Sequence, residues 1–449
     1  MSIRPILSTR SKVAFRLALL GNGLIALVVA LVLLVGRPGV PDVGADCALT
    51  SLGVTPLNDL GTGLYLGFAG GLYPNGSSTR PAAHETAGLD IAQNQIQPLD
   101  GSGSPDPVNG KIVLISIGMS NTSQEFATRE LAFKNRADAD PAKNPQLVIV
   151  NGAQSGKTAR LWADYVDDSS GAWAVLDNRL AAAGVTPAQV QVVWLKEAES
   201  FRDFDWGGFP QHAQTLQSDL QEIARGITFR YPNAKLTFVS SRTRAYTLGG
   251  NTAEDLNPEP VAFESGFSVK WMIERQLSGA ADLNFDPARG AVVAPWLSWG
   301  PYLWADGINP RSDGFVWLCE DVNQTDFTHP SELGGVPKVA EELVAFFKTD
   351  PTARPWFLRS DVVGQAPKCV ASSDVSQGRP PLTVHFHSTA SDPDGTIIER
   401  LWTFDDGGYA VGQNPTKIYP VPGQYDARLT VTDNSGNTAT CTVSILVGR

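Results

Sequence analysis

Acyl transfer from an ester needs a nucleophile on an exposed turn, a base that takes its proton, a carboxylate that orients the base, and N–H donors for the oxyanion. Two places in the 449-residue chain could supply them. Gly118-Met119-Ser120-Asn121 follows an apolar run. That puts Ser120 at the carboxyl end of a strand, where the next helix opens with free N–H groups. Asp326-Phe327-Thr328-His329-Pro330-Ser331 precedes an amphipathic segment. Asp and His three apart on one loop can turn the same way, Asp326 holding the imidazole of His329 while its other nitrogen faces Ser120. Of the five His, His385 and His387 fall in a strand-rich stretch, and His84 and His212 have no matching motif and read as surface or packing residues.

Three other segments carry groups that could do chemistry. Asn151-Gly152-Ala153-Gln154-Ser155-Gly156-Lys157-Thr158 nearly fits the phosphate loop GxxxxGK[ST], with Asn151 where the first Gly belongs. It supports a nucleotide hydrolase only weakly, because no strand-ending Asp completes a magnesium site. Glu197 and Glu199 read as solvated loop charges, with substrate contact as the sharper alternative. Trp299-Gly300-Pro301-Tyr302-Leu303-Trp304, shortly before the Asp/His loop, offers rings for stacking on sugar faces or for packing a long loop.

The elements that must position these residues alternate. Strands are expected at Lys111–Ile117, Gln146–Val150, Val190–Leu195, Lys235–Ser240 and Ala291–Trp296. Helices are expected at Asn121–Ala132, Gly156–Val166, Gln211–Arg230, Val261–Leu277 and Ser331–Phe347. Near-continuous apolar strands alternating with helices imply a doubly wound α/β fold, a flavodoxin-like parallel sheet covered on both faces, with its site beyond the carboxyl ends of the strands. Asp46–Asn109, rich in Gly, Pro, Ser and Asn, reads as extended decoration, and Asp350–Lys368 as a linker. The expected organisation is 1–36 signal or anchor, 46–349 α/β domain, 350–368 linker, and 369–449 an all-β sandwich.

The Ile117-Gly118-Met119-Ser120-Asn121 turn and the Asp326-to-His329 pair resemble the SGNH (GDSL-like) hydrolases over roughly Lys111–Phe347, the turn being closest to the GxSN form of sialate O-acetylesterase-like members. The resemblance implies Ser120 as nucleophile, His329 as base and Asp326 as orienting acid. Asn151-Gly152-Ala153 looks like the second family block, whose Gly152 N–H would join that of Ser120 in an oxyanion hole. Where the third block has an Asn, this chain reads Trp194-Leu195-Lys196-Glu197, so Lys196 or a backbone N–H would take that place. Asn121, Trp299, Tyr302 and Trp304 are the expected substrate contacts. The mechanism calls on no cofactor or metal, and the expected substrate is an acylated carbohydrate. The alternative is a surface-anchored protein that binds glycan or protein without catalysis.

From Cys369 the style changes to short strands, Leu382–His387, Ile397–Phe404, Gln424–Thr432 and Thr438–Val447. Ser391-Asp392-Pro393-Asp394-Gly395, Trp402-Thr403-Phe404-Asp405-Asp406-Gly407, Pro422-Gly423-Gln424-Tyr425 and Leu429-Thr430-Val431-Thr432-Asp433 resemble a PKD domain. That implies an immunoglobulin-like module with a polysaccharide or protein contact, and Trp402 reads as a buried core residue, with a sugar platform as the sharper alternative. Cys369 and Cys441 bracket this module and are expected to pair, which leaves Cys47 with Cys319.

At the other end, Arg4, Arg10, Lys12 and Arg16 precede the apolar run Leu17–Gly36, long enough to span a bilayer. Basic residues stay in the cytoplasm, so the rest of the chain is expected outside, held by the uncleaved helix or released by cleavage near Val43-Gly44-Ala45. An oxidising compartment suits disulfides. A net charge of -11, with 35 Lys and Arg against 46 Asp and Glu, argues against a nucleic-acid partner.

Overall fold

The computed structural model describes residues 47–199, 207–247, 257–393, 395–433 and 436–448. The apolar segment Leu17–Gly36 and the cleavage candidate at Val43-Gly44-Ala45 lie outside the described residues. Among the described residues, no helix is long and apolar enough to cross a membrane.

The α/β domain is built on strands β1 (Ile112–Gly118), β2 (Leu147–Asn151), β3 (Val190–Lys196), β4 (Leu236–Val239) and β5 (Trp296–Trp299). They form one sheet in the order β2-β1-β3-β4-β5, with every pairing parallel. Every residue of β1 and β3 is buried, as a sheet covered on both faces requires. Alternate side chains feed two cores. Val113, Ile115, Ile117, Val193 and Leu195 pack against α2 (Ala172–Ala182), α3 (Gln211–Arg230) and α4 (Val261–Leu277). Ile112, Leu114, Val192, Trp194 and Phe238 pack against Phe126, Phe133 and the apolar stripe Val339, Leu343, Phe347 of α5 (Gly335–Thr349). Chain order reverses between β1 and β3, which opens a crevice at their carboxyl ends.

Several expected elements differ. The fifth strand starts at Trp296, because Val293 and Ala294 spend their N–H groups on the Asn284 carbonyl and Pro295 has none to give. The helix expected at Asn121–Ala132 is regular only over Ser120–Ser123 (α1), then widens into a π turn, Gln124–Thr128, and ends at Arg129. That turn aims Phe126 and Glu125 inward, both fully buried. The segment expected at Gly156–Val166 is helical only over Ala159–Ala163, and helix α2 was not foreseen. The stretch 46–109 contains a helix, Ala82–Asp90, rather than only extended chain. Within 350–368, Trp356 and Phe357 are buried in the second α/β core, so the chain leaves that domain only after Leu358.

The second module has β6 (Lys368–Ser373), β7 (Gln377–Gly378), β8 (Leu382–Ser391), β9 (Ile397–Phe404), β10 (Tyr409–Val411), β11 (Thr416–Tyr419), β12 (Gly423–Asp433) and β13 (Thr438–Val447). They make two sheets, β11-β8-β6 and β10-β9-β12-β13-β7. Between them Val384, Phe386, Trp402, Leu429, Val431 and Ile445 form the core. Trp402 is fully buried, 5.2 Å from the Phe386 ring, as expected of a core residue. Cys369–Cys441 ties β6 to β13 and so joins the two sheets, and Cys47–Cys319 closes a loop with a sequence separation of 272. Closing loops of such length stabilises the fold by about 2–5 kcal/mol each, through the unfolded chain.

Candidate active site

Ser120 opens α1 directly beyond the carboxyl end of β1, where the first-turn N–H groups have no partner within the helix. Gly118, one position from the turn, is packed so closely that a Cβ would come within 2.4 Å of Thr122 and 2.5 Å of the Lys196 carbonyl. Only Gly lets β1 and β3 run flush to the turn that lifts Ser120 out of the sheet.

The Asp326–His329 loop meets this turn from above. Ser120 Oγ lies 2.6 Å from His329 Nε2, and His329 Nδ1 lies 3.0 Å from Asp326 Oδ2. The second carboxylate oxygen accepts the backbone N–H groups of Thr328 at 3.0 Å and His329 at 2.8 Å. Burial alone would raise the Asp326 carboxyl, but the bond from the His329 ring and these two N–H groups outweigh it and hold it at about 2. An ionised Asp326 fixes the proton of His329 on Nδ1 and leaves Nε2 to accept from the Ser120 hydroxyl. All three residues are partly exposed.

Reaching this geometry strains the loop. Phe327 has φ of 53°, the left-handed region, which costs a residue with a side chain about 1–3 kcal/mol. Its N–H donates to the Asn323 carbonyl and its carbonyl accepts the Tyr246 N–H, both at 2.8 Å. Asn121 Nδ2 donates to the Thr328 carbonyl at 3.0 Å. Asn121, expected as a substrate contact, is buried and spends its amide on the carbonyl next to His329.

The remaining expected contacts fall elsewhere. Trp299, Tyr302 and Trp304 are 3%, 5% and 0% exposed and belong to the first core, so they offer no face for sugar stacking. Their polar atoms are taken: Trp299 Nε1 donates to the Leu72 carbonyl, the Tyr302 hydroxyl accepts the Leu57 N–H, and Trp304 Nε1 donates to Glu259. Lys196 ends β3 as expected, but its amine is fully buried between the Glu125 oxygens at 2.5 and 2.7 Å and does not reach toward Ser120. Burial pulls that amine down to about 8 against the pull of Glu125. Gly152 follows β2, but its N–H donates to Ser116 Oγ at 3.2 Å. A Cβ there would meet the Ser116 carbonyl at 2.3 Å, so packing demands this Gly.

Glu197 and Glu199, read as solvated, are buried at 2% and 9% exposure. Burial pushes Glu197 well above the usual carboxylate range, and burial with the neighbouring Asp219 carboxyl raises Glu199 to about 9. Asp219 rises as well, chiefly through burial, so the two acids share a proton. The 151–158 loop cradles no phosphate either. Its Ala153, Gln154 and Lys157 N–H groups go to Asn151 Oδ1 and to the carbonyls of Gly118 and Gln154, and that of Ala159, which opens the next helix, goes to the Ala198 carbonyl. His84 and His212 are packing residues, His84 stacked on Trp296 and His212 bound to Glu264.

The comparisons bear on the second module. Residues 365–447 match the PKD domain family. A microbial collagenase of Vibrio alginolyticus is 36% identical over 83 residues, 18% of this chain and 10% of the collagenase. The pre-pro-metalloprotease PrtV of Vibrio cholerae is 41% identical over 59 residues, 13% of this chain and 6% of PrtV. The chain thus spans a tenth or less of these relatives. The crystal structure of the PKD1 domain from the Vibrio cholerae metalloprotease PrtV is 34% identical, covering 19% of this chain and 100% of that domain, with a TM-score of 0.17. The two-sheet sandwich with its buried Trp402, and this family match over nearly its whole length, make residues 365–447 a C-terminal PKD domain.

Proposed function

We propose that the α/β domain is an extracytoplasmic serine esterase of SGNH type, deacylating a carbohydrate or similar ester. One observation carries the reading: Ser120, His329 and Asp326 stand in hydrogen-bonded sequence at 2.6 and 3.0 Å, at the carboxyl end of a parallel sheet. Ser120 Oγ attacks the ester carbonyl as His329 Nε2 takes its proton. The tetrahedral oxyanion is met by the first-turn N–H groups of Ser120 and Asn121. His329 returns the proton to the leaving alkoxide, and an acyl-serine remains. Water, deprotonated by the same imidazole, releases the acid and restores the hydroxyl. Two disulfides suit an oxidising compartment. The carbohydrate half of the reading rests on the form of the Gly118–Asn121 turn, and the PKD domain fits an exported protein that contacts polysaccharide or protein.

Hydrolysis of p-nitrophenyl acetate by the wild type and by Ser120→Ala tests the chemistry, and equal rates sink it. A second reading, a surface-anchored binding protein, draws on the commitment of Lys196 to Glu125 and of the Gly152 N–H to Ser116, which leaves a lean oxyanion hole. Covalent labelling of Ser120 by a fluorophosphonate removes that reading.

A further inference from the structure

Ahead of the sheet, Leu64–Tyr65 and Phe68–Ala69 form a two-stranded hairpin, with Leu64 opposite Ala69 and Tyr65 opposite Phe68. Residues opposite one another share a face of such a ribbon, and successive residues alternate between faces. Tyr65 and Phe68 take the inner face. The Tyr65 ring lies 4.9 Å from that of Phe263, and Phe68 lies 5.3 Å from Trp271. The outer face of a solvated ribbon is ordinarily polar. Here it carries Leu64 and Ala69, both exposed, and the turn adds Leu66, which is 68% exposed.

Leu66 also stands in a backbone conformation that suits other residues. Its φ is 46° and that of Gly67 is 91°. Two left-handed residues in succession are the pattern of a hairpin turn that favours Asn-Gly. A Leu in the first place is strained where an Asn would not be. Burial does not explain this Leu and backbone preference opposes it, so a contact outside the chain is what it serves. No charged residue occurs between Gly61 and Thr79. The hairpin can therefore enter apolar surroundings without stripping water from an ion.

Its place in the fold points to the occupant. The Tyr65 hydroxyl donates to Glu264 in the first turn of α4, and Glu264 also bonds His212 in the first turn of α3. These helices follow β4 and β3, so their first turns lie at the carboxyl end of the sheet, the end at which β1 delivers Ser120. The chain enters the domain at that end too. Cys47 is bridged to Cys319, the Leu52 N–H donates to Asp306 and the Leu57 N–H to the Tyr302 hydroxyl, all three partners lying beyond β5. Residues 37–46 join Cys47 to the apolar run Leu17–Gly36, which is expected to span a bilayer. Fully extended they reach at most about 36 Å, and the bridge at Cys47 stops the tether from lengthening further. Leu64, Leu66 and Ala69 fall far short of the roughly 800 Å² per partner that a stable protein interface buries. A lipid surface needs no such area.

We propose that the Leu64–Ala69 hairpin rests in the surface of a lipid bilayer, with Leu64 and Leu66 at the boundary of headgroups and acyl chains. The contact turns the carboxyl end of the sheet toward the lipid. It draws on the expected N-terminal anchor and on the form of the hairpin, not on the chemistry at Ser120.

The test uses the full chain reconstituted into phosphatidylcholine vesicles. An environment-sensitive fluorophore is placed on Ala69→Cys or, just ahead of β1 at the opposite end of the sheet, on Val108→Cys. Both positions are exposed, and among the described residues every native cysteine is held in a disulfide. At 69 the emission shifts to the blue and is quenched by spin-labelled lipid, and at 108 neither happens. Adding Leu64→Ser and Leu66→Asn to the Ala69→Cys chain removes both signals. The melting temperature of Leu66→Asn alone holds or rises, because Asn suits the left-handed turn. Solvent-like emission at both positions overturns the proposal, as does quenching at 69 that survives the double substitution. A clear fall in the melting temperature of Leu66→Asn returns Leu66 to the fold and overturns it. So does a blue shift at 69 that needs no lipid and grows with protein concentration, which assigns the patch to a second copy of the chain. All these readouts are taken without substrate, so they stand or fall apart from the esterase reading.

Discussion

Among the described residues, the α/β domain holds two histidine–carboxylate pairs, and they differ in their surroundings. His329 meets Asp326 at 3.0 Å on a partly exposed loop, and His212 meets Glu264 at 2.6 Å between α3 and α4. The second pair has the shorter contact and the deeper burial. Its carboxylate is shared with the Tyr65 hydroxyl at 2.6 Å, inside a cluster of Phe209, Phe263 and Phe267 rings. Nothing in that cluster places a hydroxyl nucleophile on the imidazole. The first pair has Ser120 on its second ring nitrogen and is partly exposed to solvent. A strong His–carboxylate bond is therefore not what makes a site: the third group and the access do.

The largest expected effect separates the pairs outright. Ser120→Ala and His329→Ala each lower ester kcat/KM by about 10³-fold or more, leaving only what binding and backbone donors supply. His212→Ala leaves that rate within about twofold. A comparable loss of rate in all three variants, all folded, would erase the contrast.

Asp326→Asn comes next. It keeps the shape of the loop but removes the charge that holds the proton on Nδ1, and kcat is expected to fall about 10²–10⁴-fold. Little change in kcat would mean that the Asp326 bond is merely structural, as the Glu264 bond is.

The role of His212 shows in stability. His212→Ala leaves Glu264 buried with one partner fewer, and urea melts should show a loss of about 1–3 kcal/mol. No shift in the unfolding midpoint would mean that Tyr65 alone satisfies the carboxylate.

A third carboxyl pair gives the smallest and most gradual signal. Glu199, raised to about 9 beside Asp219, is protonated in the fold and ionised in the unfolded chain at neutral pH. A raised folded value contributes stability that is complete below the unfolded pKa of about 4.3 and is lost as pH rises through the folded one. Melting temperatures should therefore decline from pH 5 toward pH 9, and Glu199→Gln should flatten the decline. Asp326 has the opposite sign: its depressed value stabilises above about pH 4 and fails as pH falls toward 2. A stability profile of Glu199→Gln that matches the wild type would discard the shared proton.

These outcomes track what the sequence could disclose. Ser120, Asp326 and His329 stand in turns set by near neighbours, so residue type and spacing pointed to them. The near-continuous apolar runs of β1 and β3 likewise announced a covered sheet, and four cysteines bracketing two regions announced their pairs. Burial of Trp299, Tyr302 and Trp304 is a long-range matter, decided by α4 and by the segment near Leu57 and Leu72 packing over them. Glu197 and Glu199 looked solvated because charge type alone favours the surface, whereas both are buried, Glu199 beside Asp219, which is distant in sequence. Asn121 was legible as part of the site but not in its role, since the Thr328 carbonyl reaches it from 207 positions away.

The Cys47–Cys319 bridge has a consequence for survival under proteolysis. A single cut anywhere between its two cysteines opens a ring and releases no fragment. Ser120 lies within that ring, and Asp326 and His329 follow only a few residues beyond its closing cysteine. A nicked molecule stays one covalent object that still carries Ser120, Asp326 and His329, and runs as two bands only after reduction.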